Sequence, residues 1–166
     1  TAQCWVFCHQ KKKLLKIPSR LEQLIEKYIE NKTGKPIKSS GTLERIKQSI
    51  LVQKAGYWKK NPFAKYERGY DVFAYLAYQA PVYIIQFHSI IQKLEKDGHL
   101  PDNIRILDLG SGPGVVPLAL IWFLKERKRG TLSIEAIEQS EEFIEAFKFL
   151  ASEFANKSPV KNKISG

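Results

Sequence analysis

Three glycines separated by single residues follow an aspartate in residues 108–114, which read DLGSGPG. Glycine adopts a positive φ without steric cost and lets a ligand lie against bare backbone. A helix that begins directly after such a turn presents N–H groups that have no intrahelical partner. The spacing therefore predicts a turn that seats a ligand.

The glycine spacing also separates this turn from two common nucleotide-binding turns. A dinucleotide-binding turn, G-x-G-x-x-G, would place its third glycine at position 115, where the chain has Val115. A phosphate-binding P-loop requires Gly-Lys-Ser/Thr, which these residues lack. Because a carboxylate repels phosphate, Asp108 argues against a phosphate ligand and favours a cationic or amine-bearing one.

A second acidic residue, Glu138, comes 24 residues after Gly114, at the end of the next predicted strand. By itself, Glu138 would be interpreted as an exposed residue near a helix start, where the helix dipole favours negative charge. Its position behind the glycine turn favours a second interpretation, in which its carboxylate accepts hydrogen bonds from the same ligand.

The hydrophobic pattern around these residues predicts the elements that position them. A short buried strand from residue 104, an apolar helix over residues 114–129, a second strand over 132–137 and a helix opened by Ser140 form a β-α-β-α unit. Pro117 falls in the first turn of the apolar helix, where a missing N–H costs nothing. Such alternation is typical of α/β proteins with a parallel sheet.

The first hundred residues instead show helical periodicity. A capping-box pattern at residues 19–22 opens a first helix, and further helices are predicted over roughly 42–55, 66–78 and 81–96. The sequence thus predicts two regions, a basic, mainly helical region over residues 1–100 and a β-α-β-α region over residues 101–166.

Charge is distributed unevenly between these regions. Of the 27 Lys and Arg residues, 18 lie in residues 1–100, against 8 of the 17 Asp and Glu residues, and the net charge is +10. This asymmetry is typical of contact with nucleic acid or an anionic surface, whereas dispersed solubilising lysines are the alternative. The candidate contact residues are these: Lys11, Lys12, Lys13, Lys16, Arg20, Lys54, Lys59, Lys60, Lys65 and Arg68, with Tyr57, Trp58 and Phe63 as stacking aromatics.

Composition argues against several classes of protein. No apolar run approaches the ~18 residues of a spanning helix. Residues 1–10 lack the features of a secretory signal, and two cysteines are too few for a secreted disulfide framework, so an intracellular compartment is expected.

Cys4, Cys8 and His9 fall one ligand short of a tetrahedral metal site, and two reduced thiols are the simpler interpretation. His88 is interpreted as an ordinary helix histidine.

The segment ILDLGSGPG over residues 106–114 resembles the first motif of class I S-adenosylmethionine-dependent methyltransferases, and AIEQS over residues 136–140 resembles their second motif. The resemblance implies a Rossmann-like methyltransferase fold and S-adenosylmethionine as cofactor, with Glu138 accepting from both ribose hydroxyls. The implied cofactor-binding residues are Asp108, Gly110, Ser111, Gly112, Pro113, Gly114, Glu138 and Gln139.

With the segment AYLAYQAPVY over residues 74–83, the chain also resembles the methyltransferase-like proteins of the mitochondrial small ribosomal subunit, a family with prokaryotic members. That resemblance spans about residues 66–155. It departs at Gln79, where the family often has Arg, which puts in doubt any cofactor or RNA contact made there. Tyr75, Tyr78 and Tyr83 are interpreted first as packing residues.

The family resemblance implies a protein that acts on or with small-subunit ribosomal RNA in ribosome assembly, in the mitochondrial matrix or in a prokaryotic cytoplasm. A non-catalytic assembly factor and a methyltransferase with a non-RNA substrate stay open as alternatives. The family's sheet has seven strands, whereas two are predicted here, so the chain corresponds to the start of an incomplete methyltransferase fold. No catalytic residue is predicted, and an iron-sulfur cluster is implied only through cysteines beyond this sequence.

Overall fold

The computed structural model describes residues 16–57 and 69–156. In this part the protein is mixed α/β, mostly helical, with a small parallel sheet of two strands. In chain order, the elements are α1 (Ser19–Thr33), α2 (Ser40–Tyr57), α3 (Tyr70–Ala74), a π-helix (Tyr75–Gln79), α4 (Ala80–Lys96), β1 (Asn103–Leu109), α5 (Val115–Arg127), β2 (Thr131–Ile137) and α6 (Glu141–Ala155).

The two strands pair in parallel, from Asn103 opposite Thr131 to Leu109 opposite Ile137. One sheet face is buried through alternate residues: Ile104, Leu132, Ile134 and Ala136. The other face keeps apolar side chains exposed, with Leu107 at 59%, Leu109 at 68% and Ile137 at 57%. The described residues therefore cover only one face of the sheet. The order of the elements around the sheet is the β-α-β-α order that the sequence predicts.

A continuous hydrophobic core joins the helical region to the β-α-β-α unit. Helix α5 is apolar around most of its circumference, which is typical of a buried helix, and Leu118, Ile121 and Leu124 are almost fully buried. Helix α6 contributes Phe147 and Leu150 to the same cluster. Helix α4 packs on α5, and α1 packs on α6.

Two contacts show that α4 and α5 run in the same direction. The His88 ring stacks on Trp122 with centroids 3.6 Å apart, and Arg127 Nε lies 3.0 Å from Glu95 Oε1. In both pairs the α5 residue comes 32 to 34 positions after its α4 partner, so the two helices stay level with each other. With the same offset, the start of α4 lies at the height of Gly114, at the carboxyl end of β1.

The start of α1 differs from the capping-box prediction, which is wrong. Pro18 is the N-cap, and no side chain of the described residues caps the helix, since Ser19 already lies in the first turn. The Pro18 carbonyl accepts from the N–H groups of Leu21 and Glu22.

The predicted third and fourth helices are continuous through the π-helix. Pro81 lies in the first turn of α4, and a proline there would crowd the carbonyl four residues earlier in a regular α-helix. The wider π-helical turn before it accommodates the ring.

Within residues 16–57 and 69–156, no helix is both long enough and apolar enough to cross a membrane, and no group of His, Cys, Asp and Glu could hold a metal ion. Several candidate residues lie outside the described ranges: Cys4, Cys8, His9, Lys11, Lys12, Lys13, Trp58, Lys59, Lys60, Phe63, Lys65 and Arg68.

Candidate functional site

The glycine turn connects β1 to α5, and all three of its glycines have positive φ: 69° at Gly110, 54° at Gly112 and 78° at Gly114. The N–H groups of Gly110 and Ser111 both donate to the Ile137 carbonyl, at 2.7 and 3.1 Å. These bonds fasten the turn to the end of β2. The chain reverses there in a conformation that residues with a Cβ rarely adopt.

The three glycines meet different surroundings. A Cβ built on Gly114 would lie 2.1 Å from Phe147 Cδ2, so close packing of α6 requires glycine at this position. A Cβ on Gly110 or Gly112 would meet no atom within 4 Å among the described residues. The first part of the turn therefore faces open space, as expected of backbone that a ligand approaches.

Glu138 follows β2 and is half-buried. Its Oε2 accepts from Gly112 N–H and its Oε1 from Ser140 N–H, each at 2.8 Å. The Ser140 hydroxyl accepts in turn from Phe143 N–H and caps α6, as the sequence predicts. Glu138 is therefore held at the turn by two backbone N–H groups. Because a carboxylate has about four acceptor positions, two remain for a ligand.

Asp108 lies in β1 on the side of the sheet that packs against the helices. Its Oδ2 is buried and has no hydrogen-bond partner among the described residues. Burial raises the pKa of this carboxyl above its usual value, and the nearby charge of Glu138 raises it further. A cation or an N–H donor placed there would satisfy the oxygen and offset both effects.

The predicted site residues lie along one end of the two strands. Ser111, Pro113 and Gly114 are buried in the turn, whereas Gln139 is exposed between Glu138 and the start of α6. Among the described residues, no side chain caps the N-terminus of α5, so its first N–H groups lack a side-chain partner at this end of the sheet. The arrangement combines two carboxylates with donor backbone, and it suits a small ligand that carries both a cation and hydroxyl groups.

The sequence did not predict the π-helix, which lies at the same end of the sheet as the glycine turn. Gln79, the position at which this chain departs from the resembled family, is buried in the π-helix and donates to Gln53 Oε1 at 3.0 Å. The packing interpretation of the tyrosines holds in part, since Tyr75 and Tyr78 are half-buried but Tyr83 is 38% exposed. Pro81, which opens the fourth predicted helix three residues after the third ends, is the sequence signal that could have indicated an altered turn.

The basic residues of the helical region divide between internal contacts and open surface. Arg20 lies 3.6 Å from Glu153 in α6, which ties α1 to the β-α-β-α unit. Lys54 Nζ lies over the Tyr78 ring, 4.9 Å from its centroid. Lys16 is exposed at the start of the described chain. His88 is a helix residue of α4, as interpreted from the sequence. Its side chain is buried against Trp122 and lies 3.0 Å from Glu126 Oε2.

Comparison of the chain with protein-family models, with curated proteins and with solved structures gives no match.

Proposed function

We propose that the chain is the S-adenosylmethionine-binding part of a methyltransferase-like protein that acts on or with small-subunit ribosomal RNA in ribosome assembly. In this proposal, β1, α5, β2 and α6 are the start of a Rossmann-like sheet, and the glycine turn is the cofactor site. The protein would work in the mitochondrial matrix of a eukaryote or in the cytoplasm of a prokaryote.

The single observation that carries the proposal is the buried Oδ2 of Asp108 beside the glycine turn, which has no hydrogen-bond partner among the described residues. S-adenosylmethionine offers a cationic amino-acid end, which would satisfy this oxygen, and ribose hydroxyls, which could donate to Glu138. Gly110 and Gly112 leave open space where side chains would obstruct a ligand. The residues present therefore fit this cofactor.

When bound, S-adenosylmethionine supplies a sulfonium methyl group for in-line displacement by a nucleophilic nitrogen or carbon of the acceptor. The residues of this chain bind and orient. Asp108 would attract the cationic end, the Glu138 carboxylate would fix the ribose, and the open backbone of Gly110 and Gly112 would let the ligand approach closely. Positioning of this kind lowers the barrier by holding the reacting atoms in line.

The charge of the helical region supports RNA as the partner. Residues 1–100 carry 18 basic against 8 acidic residues, whereas residues 101–166 carry nine of each. A basic region beside a cofactor site can hold a large anionic substrate, since phosphate neutralisation supplies most of the affinity for nucleic acid.

Two measurements on the full chain test the proposed function. Filter binding of small-subunit rRNA at several salt concentrations should show a steep loss of affinity as salt increases. Incubation with methyl-tritiated S-adenosylmethionine should label that rRNA if the protein is catalytic. Cofactor binding without labelling would favour the assembly-factor alternative, whereas salt-independent or absent rRNA binding would contradict the RNA role.

A further inference from the structure

Tyr83 in α4 presents an exposed aromatic ring beside a second tyrosine. It is 38% exposed, and its ring centroid lies 6.3 Å from that of Tyr75 at an interplanar angle of 41°. Tyr75 in turn makes an edge-to-face contact with Phe143, with centroids 5.3 Å apart. The three rings form a continuous aromatic row from the surface to α6.

The π-helix is what brings Tyr75 and Tyr83 together. Residues eight apart in a regular α-helix differ in direction by about 80°, because each residue turns the helix by about 100°. The wider i→i+5 turns of the π-helix (Tyr75–Gln79) rotate the chain less per residue and remove most of this offset. π-Turns are rare and occur frequently at functional sites. Because a π-turn aligns Tyr75 with Tyr83, we expect the exposed ring of Tyr83 to have a function.

The aromatic row lies at the same end of the sheet as the glycine turn. Helices α4 and α5 run level with each other, so the first turn of α4, with Tyr83, stands beside the first turn of α5. The inner end of the row is Phe143, whose N–H donates to the hydroxyl of Ser140, two residues after Glu138. A molecule stacked on Tyr83 would therefore lie at the same end of the sheet as the proposed cofactor site.

We propose that Tyr83 stacks on an unpaired nucleobase of the RNA substrate and holds that part of the RNA beside the cofactor. This inference rests on the proposed function, because it names how the same site takes its substrate. Aromatic side chains are the usual platforms for unpaired bases, since every base offers a flat π-face. Residues 1–100, which include α4, carry 18 basic against 8 acidic residues, and this excess of positive charge suits a phosphate-bearing partner.

The test uses a mixed-sequence single-stranded RNA 12-mer that contains 2-aminopurine, whose fluorescence is quenched by stacking. Titration with the full chain should quench the probe, and Tyr83→Ala should weaken binding about tenfold, within the range measured for loss of one base stack. Tyr83→Leu keeps an apolar side chain without an aromatic face and should lose the quenching as well. Tyr83→Trp should retain it. The salt dependence should keep its slope in every variant, because no charge is removed.

Ile90→Ala is the matched control. Ile90 is 53% exposed on the same helix, but about two turns farther from the glycine turn, so its removal should leave binding and quenching unchanged. Equal quenching and affinity in the wild type, Tyr83→Ala and Tyr83→Leu would overturn the inference, as would failure of the wild type to bind the probe. Equal losses in Ile90→Ala and Tyr83→Ala would also overturn it and indicate an apolar protein-binding surface.

S-adenosylmethionine binding, measured on the same preparations, separates the two proposals. Cofactor binding by the wild type with unchanged RNA affinity in the Tyr83 variants would contradict the stacking inference alone. Absence of cofactor binding by a folded wild type would contradict the proposed function.

Discussion

The N–H group of Gly112 donates to Oε2 of Glu138 at 2.8 Å and so joins the turn after β1 to the residue that follows β2. The two residues are 26 positions apart in the chain. A carboxylate that receives backbone N–H groups is held in one orientation, so Glu138 is positioned before any ligand arrives. The relationship makes the turn and the carboxylate one unit, and a change in either should affect both.

Glu138→Gln should destabilise the fold and weaken cofactor binding together. The amide replaces one acceptor oxygen with a donor NH₂ group, which leaves either Gly112 N–H or Ser140 N–H without a partner. The expected loss is about 1–3 kcal/mol in the free energy of unfolding, measured by urea denaturation. Glu135→Gln, at an exposed position of β2, should change the free energy of unfolding by less than about 0.5 kcal/mol. Equal stability of the two variants would contradict the structural role of Glu138.

Gly114→Ala should destabilise the protein more than an alanine at an unobstructed glycine of similar φ. The new Cβ would overlap Phe147, and the turn between β1 and α5 would have to open. The control is Gly98→Ala, since Gly98 has a φ of 75° but no described atom within 4 Å of its Cβ position. Both variants carry backbone strain of about 1 kcal/mol, and Gly114→Ala should lose at least about 1 kcal/mol more. Thermal denaturation of the pair measures the difference, and equal Tm values would contradict the close packing of α6.

Binding of S-adenosylmethionine should strengthen as pH rises above about 4, the ordinary pKa of aspartate. Burial and Glu138 raise the pKa of Asp108 in the free protein, so its carboxyl ionises at a higher pH than an ordinary aspartate. The ionised carboxylate attracts a cation, and a bound cation in turn lowers the pKa of Asp108. Asp108→Asn should bind at least about tenfold more weakly at pH 7, with less pH dependence. Asp97→Asn, at an exposed position, is the control, and an unaltered pH profile in Asp108→Asn would contradict the assignment.

Stability should fall as pH is lowered below about 6.5, the ordinary pKa of histidine. Burial lowers the pKa of His88, an effect that the nearby Glu126 carboxylate opposes. Because the unfolded chain then binds the proton more readily than the folded protein, the free energy of unfolding is retained above pH 6.5 and decreases below it. His88→Gln should reduce the decrease, measured by urea denaturation at pH 7.5 and 5.5. His99→Gln, at an exposed position, should show the same decrease as the wild type. If His88→Gln also loses as much stability as the wild type between pH 7.5 and 5.5, the account is contradicted.

The sequence predicts the β-α-β-α unit well because its signals are local. Strands and helix follow from hydrophobic periodicity, the turn from glycine spacing, and the start of α6 from Ser140, which does cap it. The bonds from the turn to Glu138 and the contact of Gly114 with Phe147 depend on how distant elements pack. No local pattern encodes them, so the sequence could indicate the site residues but not their partners.

The π-helix shows the limit of periodicity as a signal. The pattern over residues 66–96 predicts two separate helices, because Pro81 is typical of a first helical turn. The chain instead passes from α3 to α4 through π-turns, which change the direction of Tyr75 relative to Tyr83. A template of 3.6 residues per turn cannot represent that change, and so the aromatic row was not predicted.

The central claim is that the glycine turn binds S-adenosylmethionine, and calorimetric titration of the full chain tests it most directly. The account predicts micromolar binding by the wild type and its loss in both Gly112→Val and Glu138→Ala. Gly98→Ala, remote from the turn in sequence and similarly strained in backbone, should bind as the wild type does, and circular dichroism should show that each variant is folded. Absence of binding by a folded wild type, or undiminished binding in both site variants, would contradict the claim.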